Sequence, residues 1–256
     1  MTNINLKIFI FLIFTFFFSC KSQNLKGKIV FEAQIENIKI KNVEGELFFN
    51  DKQSLYIIKS IDQNTKVNRE TDGSIVYPSN SIDSIANKKR FIIFDSKSRN
   101  FYGNIINDNI ENLIIDSPKF NWIFANETKT ILGYKCQKAI CSIYDNDYVA
   151  WFTQEIPASY GPLKFNGLDG MILELKCDKT KLHLLAVNIQ LDVHQANKEI
   201  LSYTSKYDFS KSVTRSEYNT VLENQIKMLE DKLNLNITDE KYKTKFKNLN
   251  CDDCNK

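Results

Sequence analysis

The two histidines are the first candidates for acid–base chemistry, because histidine is the side chain that changes charge near neutral pH. His183 opens an apolar run and shares a strand face with apolar residues, which favours a hydrogen-bonded sheet residue over a general base. His194 lies at the predicted end of the same run. Asp145 and Asp147 lie in a predicted turn, where exposure to solvent is sufficient to account for acidic side chains. No serine-, zinc- or cysteine-hydrolase motif accompanies these residues. The sequence therefore identifies no catalytic residue, although catalytic groups converge in space rather than in sequence.

The six cysteines fall into groups with different expected chemistry. Cys136 and Cys177 lie on apolar strand faces. Two states are compatible with this position: the two cysteines form a disulfide, or they are small buried hydrophobic residues. Cys251 and Cys254 form a CxxC motif in which two aspartates separate the thiols. The negative charges of these aspartates disfavour a thiolate. A local disulfide, or a tail without a chemical role, is therefore favoured over a redox or metal site. No further ligands have suitable spacing for zinc, and we expect neither a metal nor a cofactor.

Residues 1–22 are predicted to be a targeting segment. The apolar run Ile8–Phe18 follows Lys7 and is shorter than the roughly 20 residues that a membrane-spanning helix needs. Two processing sites are compatible with the sequence: a lipoprotein site that acylates Cys20, and ordinary cleavage after Ser22. Both predict export to the periplasm or outer membrane, and acylation would add a lipid anchor.

The composition is that of a globular protein rather than a nucleic-acid-binding one. Hydrophobic residues make up 43% of the chain and charged residues 25%, and the formal net charge is +3. Nucleic-acid binding requires clustered lysine and arginine in a strongly basic domain, so we expect no nucleic-acid partner.

Period-two alternation predicts strands through most of the chain, and turn-forming residues separate them. The predicted strands are Ile29–Ile35, Gly45–Phe49, Leu55–Ile61, Arg90–Asp95, Asn100–Ile106, Leu113–Ile115, Thr130–Tyr144, Tyr148–Thr153, Met171–Cys177, Leu182–Val193 and Lys198–Phe209. A phase slip near Asn37 predicts a bulge or turn. Short connections favour antiparallel pairing, so we predict a mainly β (α+β) fold, with a meandering, curved or half-barrel-like sheet. This β domain covers residues 23–210 and includes a polar loop at about 62–89.

Residues 211–256 are predicted to be a helical extension. Thr214 and Glu217 form a capping box, and an apolar stripe follows at helical spacing. The stripe consists of Tyr218, Leu222, Ile226, Leu229 and Leu233. A second helix is predicted from about Asp239 to Leu249, which would complete a helical hairpin packed on the sheet.

The segment from Tyr160 to Leu175 concentrates three of the eight glycines. Gly167 and Gly170 can adopt positive φ without steric cost, and Asp169-Gly170 is predicted to form a tight turn before the strand. In that strand Glu174 and Lys176 would share the exposed face opposite the apolar residues. The turn residues are Gly161, Pro162, Gly167, Leu168, Asp169 and Gly170.

The hexapeptide Gly167–Ile172 resembles the hallmark of the GLPGLI family, a group of exported Bacteroidetes proteins. Asp169 and Met171 depart from the family's proline and leucine. Shorter pieces upstream are also similar, so the resemblance covers roughly residues 120–190. It implies an exported envelope protein and no particular activity.

Three functions are compatible with these observations. The first is a non-enzymatic binding or carrier module for an apolar ligand or a partner protein. The second is an envelope enzyme, a hydrolase or thiol-dependent factor, with its site near Gly161–Gly170 and His183. The third is an accessory subunit of an outer-membrane complex, in which the helices dock a partner.

Overall fold

The alternating apolar residues form the strands of a single sheet in the computed structural model, which describes residues 25–35, 43–60, 89–107, 110–143 and 145–235. The strands are β1 (Gly27–Ile35), β2 (Val43–Phe49), β3 (Gln53–Ser60), β4 (Arg90–Asp95), β5 (Asn100–Asn107), β6 (Ile110–Asp116), β7 (Ile123–Ile131), β8 (Tyr134–Ile143), β9 (Asn146–Thr153), β10 (Met171–Cys177), β11 (Leu182–Leu191) and β12 (Val213–Thr214).

Within the described residues the sheet has twelve strands in the order β12-β6-β5-β4-β3-β2-β1-β11-β10-β9-β8-β7. Every neighbouring pair is antiparallel except β12 and β6, which are parallel, so the sheet is mixed. β1 pairs with β11 on one side and with β2 on the other, and this pairing joins the two halves of the chain. The predicted mainly β, meandering antiparallel fold is confirmed.

The predicted strand Thr130–Tyr144 covers β8 and only the last two residues of β7, and a two-residue turn at Leu132 and Gly133 joins these strands. Both turn residues have positive φ, 49° and 88°. This is the conformation of the type I′ hairpin turn, whose twist matches that of the flanking strands. The sequence does not mark this turn clearly, because leucine is an unusual residue for it. Ile131 and Leu132 continue the apolar character of the strand into the turn.

The predicted strand Lys198–Phe209 is wrong, because most of it lies in a helix, α1 (His194–Lys206), followed by a 3-10 turn at Phe209–Lys211. Ala196, Ile200 and Tyr203 recur at spacings of four and three residues, which is a helical period. Ala196 and Ile200 are buried against β-strand side chains on one face of the sheet. This second core contains Phe48, Leu55, Ile57, Phe91 and Ile93.

The opposite face of the sheet carries the main core, which draws on both halves of the sheet. The segment 154–170 folds over this face between β9 and β10. Its Tyr160 ring lies 6.0 Å from Phe94 on β4, and its Phe165 ring lies 4.6 Å from Tyr148 on β9. In a flat sheet β4 and β9 would lie about 29 Å apart, at about 4.8 Å per strand. The sheet therefore curves around this segment, as predicted.

The C-terminal helix, α2 (Arg215–Asn234), begins with the predicted capping box of Thr214 and Glu217. The predicted packing of its apolar stripe on the sheet is confirmed only for Tyr218, which is the buried residue of the helix. Leu229 and Leu233 are 48% and 50% exposed. No helix in the described part of the chain has the length and apolar character to span a membrane.

Several predictions lie outside the described residues. They are the targeting segment with Cys20, the slip near Asn37, nearly all of the polar loop at 62–89, the second C-terminal helix at about 239–249, and the Cys251–Cys254 pair.

Candidate functional site

The glycine-rich segment before β10 is a buried structural loop. Pro162 accepts a hydrogen bond from the Phe165 backbone N–H at 3.2 Å, and the Ser159 hydroxyl donates to the Leu168 carbonyl at 2.6 Å. Leu168 is 1% exposed, and Gly161 packs its α-carbon closely against Ile172. These contacts place Gly161 and Leu168 against the core, whereas Gly167 is exposed at the surface of the loop.

The two predicted turn glycines are required for different reasons. Gly167 has φ +88°, a conformation that side chains disfavour. Gly170 does not have positive φ. A Cβ atom at Gly170 would lie 2.1 Å from the Thr153 carbonyl oxygen, and glycine is required there by close backbone packing. Asp169 is exposed in the bend that precedes β10.

A buried carboxylate with three basic partners lies on β10. Glu174 is 3% exposed, although the alternation of the strand predicts an exposed position. Its carboxylate pairs with Lys129, with Lys176 at 3.0 Å and with His183 Nε2 at 3.1 Å. Burial alone would raise the pKa of Glu174, but hydrogen bonds from Lys129 and Lys176 outweigh it and hold that pKa below its ordinary value. Lys129 also lies over the Trp151 ring, 4.4 Å from its centroid.

This cluster accounts for His183 as a hydrogen-bonded sheet residue. Its ring is held by Glu174 on the neighbouring strand, in line with the interpretation from sequence. His194 is the first residue of α1 and lies 3.5 Å from the Lys26 ammonium through Nδ1. The two histidines therefore have different partners and share no described site. Asp145 has φ +56° in the β8–β9 turn, and Asp147 accepts a hydrogen bond from Ser142.

The structure does not support a Cys136–Cys177 disulfide, because both are free, buried thiols, as is Cys141. The register of β8, β9 and β10 places Cys136 level with Met171, at the opposite end of β10 from Cys177. Six residues of strand correspond to about 20 Å, whereas a disulfide requires Cα atoms within about 7 Å. Burial raises the pKa of the Cys136 thiol to about 11 and of the Cys141 thiol to about 12.

A polar cleft of about 400 Å³ lies beside these residues at the β7 end of the sheet. Its lining combines amide, hydroxyl, ammonium and carboxylate groups with one phenyl ring. The lining residues are Asn126, Thr128, Lys135, Cys136, Gln137, Phe152, Gln154 and Glu155. Sequence reasoning identified only Cys136 among them, and for a different role.

An irregularity in β7 builds one wall of this cleft. Phe124 pairs with Ala139 and Thr128 pairs with Gln137, so residues 125–127 of β7 lie opposite Lys138 alone. Extra residues of this kind bend a strand and redirect its side chains. The Gln137 side chain donates to the Ala125 carbonyl at 3.0 Å and holds the irregular segment against β8. The only local signal in the sequence is the polar run Asn126–Thr130, which follows the apolar residues Ile123–Ala125.

The opposite wall comes from the start of the β9–β10 segment. Glu155 accepts a hydrogen bond from the Lys135 backbone N–H at 2.8 Å and so ties the start of β8 to this wall. Phe152 is 1% exposed, and the Phe124 ring, 55% exposed, lies 5.9 Å from it.

The amide and hydroxyl groups in the cleft are available to a ligand. The side chains of Asn126, Thr128 and Gln154 are exposed and make no hydrogen bond to another described residue. Amides both donate and accept hydrogen bonds, so they suit a ligand rich in hydroxyl groups. Among the described residues, no group of three histidine, cysteine or acidic side chains could hold a metal ion.

The fold defines the chain as a predominantly β protein built on one open, mixed sheet. The model of the family described as "N-glycanase peptide, N-terminal domain" matches residues 50–211, which is more than half of the chain. The chain belongs to this family.

Two solved structures of PNGF-II are similar to the chain. The structure in the C2 space group has a TM-score of 0.46 and 17% sequence identity, covering 66% of this chain and 28% of that one. The structure in the P21 space group has a TM-score of 0.45 and 17% identity, covering 67% of this chain and 29% of that one. The chain thus spans less than a third of the length of PNGF-II. No curated protein matches the chain.

This family assignment contradicts the predicted membership of the GLPGLI family. The resemblance was carried by a hexapeptide in which Asp169 and Met171 already departed from the pattern. The structure explains the glycines of that hexapeptide by backbone geometry at Gly167 and by close packing at Gly170.

Proposed function

We propose that this chain is a non-catalytic glycan-recognition module that acts outside the cytoplasm. The observation that carries the proposal is the polar cleft, with three unpaired polar side chains at its mouth beside a partly exposed phenylalanine. Membership of a family described as an N-glycanase domain supports an asparagine-linked glycan as the ligand class.

The chemistry of the cleft suits a sugar better than the apolar ligand suggested by the strand-rich sequence. A sugar presents hydroxyl groups that donate and accept, and the Asn126 and Gln154 amides offer both functions. The exposed ring of Phe124 offers an apolar surface to the C–H face of a pyranose. The apolar side chains on the face of the sheet that carries the main core pack against one another and against segment 154–170.

Binding is favoured over catalysis by the state of the reactive groups in the cleft. Oxygen Oε1 of Glu155 is committed to the Lys135 backbone N–H. Burial keeps the Cys136 thiol protonated, since its pKa is raised to about 11, and a protonated thiol is a poor nucleophile.

The predicted targeting segment supports a location in the periplasm or at the outer membrane. If Cys20 is acylated, the chain would be held at a membrane surface and would present the cleft to glycans there. Mass measurement of the protein from its native envelope tests the acylation directly.

Isothermal titration calorimetry with a free high-mannose N-glycan tests the function. We expect the Asn126→Ala/Gln154→Ala variant to bind about tenfold more weakly, since two lost hydrogen bonds contribute roughly 1–3 kcal/mol. Asn188→Ala/Gln190→Ala is the matched control, because these residues are exposed on β11, away from the cleft. Absence of binding at millimolar glycan, or equal affinity of the two variants, would refute the proposal.

A further inference from the structure

The cleft lies next to an open edge of the sheet. β7 is the last strand in the sheet order, and among the described strands it pairs only with β8. The outer side of an edge strand presents unpaired backbone N–H and C=O groups that can pair with another extended chain. The residues that line one wall of the cleft, Asn126 and Thr128, belong to this same strand.

The register of the β7–β8 hairpin determines which backbone groups face outward. Ile131 and Tyr134 flank the two-residue turn and therefore form a hydrogen-bonded pair. Hydrogen-bonded and non-hydrogen-bonded pairs alternate along an antiparallel ladder. Thr128 and Thr130 are consequently in non-hydrogen-bonded pairs, and their N–H and C=O groups point away from β8.

The charged side chains that commonly guard an edge strand are drawn onto the sheet in β7. Lys129 pairs with the buried Glu174, and Glu127 pairs with Lys138 at 2.9 Å. These contacts leave the backbone edge from Thr128 to Ile131 unblocked by charge. The irregular segment 125–127 prevents regular pairing further along the strand, so the usable edge is short.

Apolar side chains flank this edge. Ile123 and Phe124 at the beginning of β7 are 70% and 55% exposed, and Leu132 in the turn at its end is 49% exposed. An added strand lies about 4.8 Å from its neighbour, so a chain paired with Thr128 and Thr130 would run beside the mouth of the cleft. Every second side chain of that added strand would point to the face on which the cleft opens.

We propose that the β7 edge from Thr128 to Ile131 binds an extended peptide by strand addition, so that the ligand is a glycopeptide. The backbone of the peptide pairs with Thr128 and Thr130, and the glycan attached to it occupies the cleft. Main-chain hydrogen bonds supply affinity that does not depend on peptide sequence, as in other cases of strand addition. The inference rests on the proposed glycan-binding function and defines its ligand more closely.

Three probes separate the two parts of the site: a heptapeptide with one high-mannose glycan on its central asparagine, the same peptide without glycan, and the free glycan. We expect the glycopeptide to bind at least tenfold more tightly than the free glycan, as two backbone hydrogen bonds predict. The Thr130→Pro variant should reduce this advantage to about threefold, because one of the two bonds is lost, and should keep its affinity for the free glycan. Proline removes an outward N–H and no bond to β8, so an edge strand accommodates it. Thr130→Val keeps the N–H and is the matched control.

A ligand modification provides a second test that does not depend on the folding of a variant. N-methylation of the peptide amides on either side of the glycosylated asparagine removes two of the ligand's donors, and we expect a tenfold loss of affinity. Equal affinity for glycopeptide and free glycan, or an unchanged affinity after both modifications, would overturn strand addition and leave the glycan site intact. Failure of the free glycan and the glycopeptide to bind would instead refute the underlying function.

Discussion

Replacing Glu174 by glutamine tests whether the buried carboxylate on β10 stabilises the sheet through its charge. Glutamine keeps the shape of the side chain and removes the negative charge. Lys129, Lys176 and His183 would then share a site without the anion that they surround. Because Glu174 is 3% exposed, water cannot readily take the place of its partners.

The expected loss in the free energy of unfolding is about 1.5–3 kcal/mol at pH 7, the range for a hydrogen bond to a charged group. It lies below the roughly 3–5 kcal/mol of a fully buried ion pair, because the side chains of Lys129, Lys176 and His183 are 34%, 43% and 30% exposed and can rehydrate. A loss of about 2 kcal/mol corresponds to a decrease in Tm of roughly 4–8 °C for a domain of this size.

The loss should depend on pH in a defined direction. The pKa of Glu174 is lowered in the folded protein, so its charge stabilises the fold at pH values above the unfolded-state pKa. That contribution is lost as the pH falls through the lowered folded-state pKa. Urea unfolding of wild type and Glu174→Gln at pH 7 and at pH 3 should therefore give a difference that shrinks at the lower pH.

The exposed pair of Glu127 and Lys138 provides the matched control, since Glu127→Gln is the same substitution in a pair whose carboxylate side chain is 57% exposed. It should leave the free energy of unfolding unchanged within error. A Glu174→Gln protein as stable as wild type at pH 7, or a difference that stays constant down to pH 3, would refute the reasoning.

Three further outcomes follow from the geometry. Gly170→Ala should lower the free energy of unfolding by about 1–3 kcal/mol in urea titration, because its Cβ would lie 2.1 Å from the Thr153 carbonyl oxygen; no change would contradict the backbone contact. Leu132→Asn should raise that free energy by about 1 kcal/mol, because asparagine tolerates φ 49° better than leucine, and a lower melting temperature would argue against the type I′ turn. Cys136 and Cys141 should resist iodoacetamide in the native protein at pH 8, since their pKa values are raised to about 11 and 12, and rapid alkylation without denaturant would show that they are accessible.

The sequence predicted elements wherever the local period was clear. The strands Arg90–Asp95 and Met171–Cys177 have the predicted bounds, and the capping box at Thr214 is present. The prediction from sequence was wrong at α1, where aromatic and β-branched residues favoured a strand although the apolar residues recur at helical spacing. It also failed at Leu132, because the residue in the turn is not one that marks turns.

The candidate site could not be predicted from the sequence, because its parts come from separate strands. The position of the Asn126 side chain in the cleft depends on an irregularity in β7. The position of the Gln154 side chain depends on the direction in which segment 154–170 leaves β9. Neither position carries a recognisable motif. The glycine motif instead packs against the core through Leu168, Met171 and Ile172.

The sequence by itself determined the class of structure, because alternation of apolar and polar residues is a local property that selects strands over helices. Only the tertiary structure decided the strand order, in which β1 joins β11 and leaves β7 at an edge. It also decided that Glu174 is buried, because that burial depends on Lys129 and His183 arriving from other strands. Local periodicity cannot encode such contacts, since they join residues that are distant along the chain.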